Sequence, residues 1–114
     1  KLVHLGDTGY TNDFIEINKR LGSPDLAFIS IGAYAPRWIM KESHMNPEEA
    51  LKTAFDLDAK KSIGMHWGTF ILTTEPTEEP KKVLENLIAK KGLGKDFFST
   101  IIPGKVYPFD RKSN

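Results

Sequence analysis

Apolar positions in this chain alternate between short unbroken runs and stretches spaced like one face of a helix. Leu2-Val3-His4-Leu5 is such a run, stopped by Gly6-Asp7-Thr8-Gly9, which predicts a strand feeding a sharp turn. Thr11 or Asn12 then caps a helix whose Phe14, Ile17 and Leu21 fall at i, i+3 and i+7, and Gly22 ends it where positive φ is tolerated. Ser23-Pro24 breaks the chain. Residues 26–31 follow as a nearly all-apolar strand, the pattern of a sheet covered on both faces. Residues 33–45, with Pro36, Arg37, Trp38 and His44, have no clean periodicity and read as a long loop; Trp38, Ile39 and Met40 read as core, with a lipid-facing patch as the alternative. Asn46-Pro47-Glu48-Glu49 has an Asn cap, a Pro at the first helical position and acids at the positive end of the dipole, so it starts a helix with Leu51, Ala54 and Phe55 as its buried stripe. Residues 62–66 predict a buried strand with His66 at its tip. A linker through Pro76 leads to a third helix, with Val83, Leu84, Leu87 and Ile88 at helical spacing and Gly92 past its end. Residues 100–102 and 106–109 around Pro103-Gly104 read as two short strands and a turn.

Strands alternating with helices favour an α/β sheet with helical cover. Right-handed crossovers put all the helices on one face, so the other face calls for a second layer that this chain does not contain.

Length adds that 114 residues make one compact domain, residues 1–114, and not two. A formal charge of +1 gives no electrostatic basis for gripping a phosphate polymer, so nucleic acid is not an expected partner. With no cysteine, disulfides, thiolate metal sites and thiol nucleophiles are excluded, and any metal must use His and carboxylates. No apolar run approaches the ~18 residues of a membrane span and no charged-then-apolar leader is seen. The expectation is a soluble, cytoplasmic protein whose membrane association is at most peripheral. The first residue is Lys1, already in a strand-like run, which suggests the tail of something longer.

Turns after parallel strands gather at the carboxyl edge of a sheet, where ligands usually bind. Three strand ends bring Asp7, the turn at Gly32-Ala33-Tyr34 and His66 to one rim. A carboxylate and an imidazole converging there are ligands of the kind Zn²⁺ accepts, although a catalytic zinc wants about three from protein. A plain alternative has Asp7 capping the turn at Thr11 and His66 packed in the core, within a non-catalytic interaction module. His4 lies mid-strand on the opposite face by parity and reads as structural. His44, just before the capped helix, is within reach of the rim. Tyr34 and Arg37 are the candidate substrate-binding residues, Arg37 reading either as a phosphate clamp or as an ion pair. Asp7-Thr8-Gly9 is also the signature of aspartic proteases, but Gly6 precedes it where an apolar residue is usual, Tyr10 follows where a small one is usual, and a strong amphipathic helix starts at once.

Taken together, Gly6-Asp7-Thr8-Gly9-Tyr10, Ile31-Gly32-Ala33-Tyr34-Ala35-Pro36-Arg37-Trp38, His44-Met45-Asn46-Pro47-Glu48-Glu49-Ala50 and Met65-His66-Trp67-Gly68-Thr69-Phe70 resemble the C-terminal half of the metallo-β-lactamase superfamily. More narrowly, they resemble the branch of N-acylphosphatidylethanolamine-hydrolysing phospholipase D and its bacterial relatives, over residues 3–94. The resemblance implies an α/β fold that is half of an αββα sandwich, a mixed sheet with helices on one face. It implies that Asp7 bridges two zinc ions, that His66 is the last histidine ligand of the second, and that His44 lies near the active site as a further catalytic candidate. The implied reaction is hydrolysis by a metal-bridging hydroxide at a phosphoryl or acyl centre. In the lipid branch the products are a fatty acyl ethanolamide and phosphatidic acid. A sugar-phosphate lactonase-like hydrolase shares the same metal chemistry and is the alternative. The family's His-x-His-x-Asp-His motif and middle histidine ligand are missing from this chain. The expected partners are therefore the absent N-terminal half and a phospholipid or phosphoester substrate, with a homodimer and a peripheral membrane contact also entertained. The 114 residues alone are expected to bind zinc weakly and not to turn over substrate.

Overall fold

The computed structural model describes residues 1–109. Its elements are β1 (Leu2–His4), α1 (Asp13–Leu21), β2 (Leu26–Ser30), α2 (Arg37–Met40), α3 (Pro47–Leu57), β3 (Lys61–Met65), α4 (Glu79–Lys90) and β4 (Phe98–Ser99). The strands lie in the order β1-β2-β3-β4. Where a mixed sheet is expected from the resemblance, all three pairings among the described residues are parallel. Parallel neighbours need a crossover between them, and α1, α3 and α4 supply those crossovers.

One face of the sheet carries the core. In register, Val3 pairs with Ala27, Ala27 with Ser62 and Ser62 with Phe98. α3 packs on β2 with Ala50 and Ala54 in the shared core, Gly64 leaves room for Ile31, and Phe14, Ile29, Leu51, Leu57, Leu84 and Ile88 close the cluster. The other face shows Leu2, His4, Phe28, Ile63 and Met65, none fully buried, beside Leu26 and Ser30, which are buried.

Local chemistry accounts for the helix ends. Asn46 Oδ1 accepts from the Glu49 N–H at 2.8 Å while Glu49 Oε1 accepts from the Asn46 N–H at 3.1 Å, a reciprocal capping box. At α1 the cap Asn12 makes no side-chain bond, and Thr11 Oγ1 instead accepts from the Asp13 N–H at 3.2 Å. Gly22 has φ 79°, in the left-handed region.

Four expectations need correction. The segment 33–45 is not wholly irregular, because α2 forms inside it. Trp38 is 85% exposed and Ile39 is exposed too, since α2 is a single turn anchored by Arg37 that swings both outward from the core. Phe55 is half exposed because Ala50, Leu51, Ala54 and Leu57 fill the sheet-facing side of α3, and its ring lies beside Phe97 with centroids 5.2 Å apart. The last strand is Phe98–Ser99, where Phe98 enters the core, and no strand forms over 100–109. There the Ile102 N–H donates to Tyr107 Oη at 3.2 Å instead of a ladder, and Pro103 and Pro108 have no N–H to give.

Candidate metal centre

The carboxyl ends of β1, β2 and β3 stand side by side because the pairings are parallel and in register. Asp7 follows β1 across Gly6, which takes φ 66° to make the sharp turn. His66 follows β3 and itself sits at φ 61°, a conformation that a side chain with Cβ adopts only under constraint. Part of the constraint is visible at Gly32, after β2. A Cβ there would run into the His66 carbonyl oxygen, so the absence of a side chain lets the two backbones touch.

The outcome is that His66 Nε2 lies 3.5 Å from Asp7 Oδ1. This is long for a charge-assisted hydrogen bond. It is close to the separation of about 3.3 Å between two ligands that each stand ~2.0–2.1 Å from a tetrahedral zinc. The Asp7 side chain is 61% exposed and that of His66 25%, so the carboxylate is open while the imidazole is held. Among the described residues no hydrogen bond joins Asp7 to the turn at Thr11, where the Thr11 hydroxyl accepts from the Asp13 N–H.

His44 arrives at the same rim. Its N–H donates to the Met40 carbonyl at 2.8 Å and its carbonyl accepts from Arg37 Nη1 at 3.1 Å. Gly9 lets the turn after β1 come against the same segment, since a Cβ there would meet the Glu42 carbonyl. The His44 and His66 rings stack with centroids 5.3 Å apart and planes 25° apart. His44 Nδ1 is buried without a hydrogen-bond partner among the described residues. Asp7, His44 and His66 are thus brought together.

Tyr34 and Arg37 are not brought to that rim by their polar ends. The Tyr34 ring is buried and its hydroxyl donates to Glu79. Burial, and then the Glu79 carboxylate, push its phenol above the ordinary value of 10.0. Arg37 forms an ion pair with Glu49 and donates to the carbonyls of Tyr34 at 3.2 Å and His44 at 3.1 Å, tying α2 to the start of α3. His4 is exposed in β1, its ring 5.8 Å from that of Phe28 on the uncovered face.

Sequence reasoning misses Glu75. Its carboxylate accepts from the N–H groups of Ala33, Tyr34 and Ala35 at 3.1, 3.1 and 2.9 Å, and from the Thr73 hydroxyl at 2.6 and 2.7 Å. The available signal is that Glu75 is the single acid between residues 67 and 77.

As a site for the metal implied by the resemblance, the residues fit one edge. Asp7 offers a hard oxygen and His66 a borderline nitrogen at a matching separation, with His44 behind them. Among the described residues no three His, Asp or Glu side chains are grouped to hold an ion by themselves.

The fold is an α/β sheet with Asp7 and His66 meeting at its carboxyl edge, and the chain belongs to the beta-lactamase superfamily, whose domain model matches residues 1–67. Within that superfamily it falls in the branch similar to N-acylphosphatidylethanolamine-hydrolysing phospholipase D. It is 44% identical over 111 residues to the mitochondrial N-acyl-phosphatidylethanolamine-hydrolyzing phospholipase D of Saccharomyces cerevisiae, covering 96% of this chain and 24% of that protein. It is 44% identical over 105 residues to N-acyl-phosphatidylethanolamine-hydrolyzing phospholipase D 1 of Caenorhabditis elegans, covering 90% of this chain and 30% of that protein. A metal-dependent hydrolase of Caldivirga maquilingensis is 31% identical over 86 residues, which are 75% of this chain and 34% of that protein. The chain therefore spans between a quarter and a third of the length of these relatives. Among the described residues no helix is long and apolar enough to cross a membrane.

Proposed function

We propose that these 114 residues are part of a zinc-dependent hydrolase, the C-terminal half of its αββα sandwich, and that the complete enzyme cleaves the phosphodiester of N-acylphosphatidylethanolamine-type lipids. The observation that carries this reading is the pair Asp7 Oδ1 and His66 Nε2, 3.5 Å apart at the ends of two strands. Two zinc ions are expected in the complete site; Asp7 and His66 would hold them from this side, and the remaining ligands would come from an upstream half. Zinc bound there would supply a Lewis acid that acidifies water and neutralises charge developing on the phosphoryl oxygens. The chain's own residues supply placement: the constrained backbone of His66 fixes the direction of Nε2, and the stacked His44 ring closes one side of the imidazole.

The uncovered sheet face supports the two-half reading. Phe28, Ile63, Met65, Trp67, Phe70 and Leu72 line a cavity of about 510 Å³ on the His66 side of that face. Apolar surface of this kind is what a second layer buries. In this assignment the occupant of the face is the upstream half of the same fold.

The test is hydrolysis of N-acylphosphatidylethanolamine in phosphatidylcholine vesicles, beside a panel of lactones, by the complete two-half enzyme and its Asp7→Asn and His66→Ala variants. The expected result is release of acyl ethanolamide and phosphatidic acid, reduced about 10²–10³-fold in both variants, a loss matching several kcal/mol of charge stabilisation. Activity on lactones but not on the lipid would overturn the substrate, and unchanged activity in both variants would overturn the site.

A further inference from the structure

The contacts of Glu75 reach further than its own loop. Three consecutive backbone N–H groups, of Ala33, Tyr34 and Ala35, converge on one carboxylate, a concavity of the kind that holds anions. Ala33 takes φ 61° to form it. The Thr74 N–H returns a bond to the Ala35 carbonyl at 3.1 Å, so the loop after β3 is laced to the turn after β2 from both sides. Both imidazoles depend on that turn. Next to it, Gly32 abuts the His66 carbonyl, and a shift of this backbone moves the surface against which His66 keeps its positive φ. On the other side, the Tyr34 carbonyl accepts from the same Arg37 nitrogen, Nη1, that also bonds the His44 carbonyl. Thr73 completes the arrangement by donating its hydroxyl to Glu75.

We infer that Glu75 is a positioning residue for the metal edge: its carboxylate, filling the nest at residues 33–35, sets the backbone of His66 through Gly32 and that of His44 through Arg37. The inference rests on the reading of Asp7 and His66 as metal ligands, and it assigns Glu75 no contact with metal or substrate. Groups that orient ligands without touching the metal typically change metal affinity by about 10–100-fold when removed. A carboxylate accepting several N–H bonds is also more than loop glue. Replacing it by an amide keeps the volume but leaves one acceptor oxygen where two are used.

The experiment uses the 114-residue chain, isotope-labelled for NMR, as wild type, Glu75→Gln and Glu75→Ala, with Thr73→Val as a milder variant should Glu75→Ala fail to fold. Two readouts are taken: contacts between the His44 and His66 ring protons without metal, and the response of His66 and Asp7 to added Zn²⁺. The expected result is loss of the ring contacts and shifted amides at Gly32 and His66 in Glu75→Gln, with core amides of β2 and α3 unchanged and zinc affinity weaker by about tenfold or more. Shifts confined to residues 33–35 and 73–75, with ring contacts and zinc response as in wild type, would overturn it. Wild-type chain in which Zn²⁺ never perturbs His66, while the ring contacts still require Glu75, would sink the metal reading and leave the positioning role standing.

Discussion

A single phenol shows how the neighbourhood of the rim is held. Tyr34 is buried with its hydroxyl on Glu79, and its acidity is suppressed first by burial and then by that carboxylate. An acid with a raised value in the folded state keeps its proton where the unfolded chain has lost it. Its contribution is therefore complete below the unfolded value near pH 10 and drains away as pH rises beyond it. Urea unfolding midpoints measured from pH 8 to 11 are expected to fall above pH 10 in wild type and to fall less steeply in Tyr34→Phe; equal slopes would mean that Tyr34 titrates alike in the folded and unfolded states. The same residue shows what the sequence withholds. Asp7 and His66 are readable because each ends an apolar run, and strand ends meet at one edge of a parallel sheet. The polar ends of Tyr34 and Arg37 are not, because their partners Glu79 and Glu49 lie on helices whose approach only tertiary packing fixes. Glu75 is less readable still: it sits in a segment without periodicity, and the backbone N–H groups it gathers carry no residue identity.

Among the elements, α3 is the one that sequence chemistry specifies most fully. Asn46, Pro47 and Glu49 each serve the end that their types predict, and Glu49 also pairs with Arg37, so the helix start anchors the segment carrying His44. Asn46→Ala should lower unfolding free energy by about 1 kcal/mol, with Asn46→Asp restoring most of it, as read by urea denaturation. A loss below a few tenths would show the cap to be dispensable. The C-terminus of α3 is not signalled by a glycine; Asp58 takes the left-handed position at φ 52°. β4 is equally hidden, since two residues give no alternation to detect and Phe98 is chosen by the hole it fills in the core. The short α2 lies within a stretch too irregular to show a helical period, and its Trp38 and Ile39 face outward against the expectation set by their hydrophobicity.

For the molecule as a whole, the sheet has one face closed by three helices and one on which Phe28, Ile63 and Met65 are only half-buried, and the edge carrying Asp7 and His66 opens beside that second face. The chain belongs to the beta-lactamase superfamily and spans 24–30% of the length of the phospholipase D relatives. On the proposed reading, the chain alone offers two ligands, Asp7 and His66, where a catalytic zinc takes about three or more, so it should bind the metal poorly. The most direct measurement is isothermal titration of Zn²⁺ into the 114-residue chain and into its Asp7→Asn and His66→Ala variants. The account predicts weak binding, with Kd above the micromolar range, that disappears in both variants. Nanomolar binding by the chain alone, or binding that survives loss of either Asp7 or His66, would contradict it.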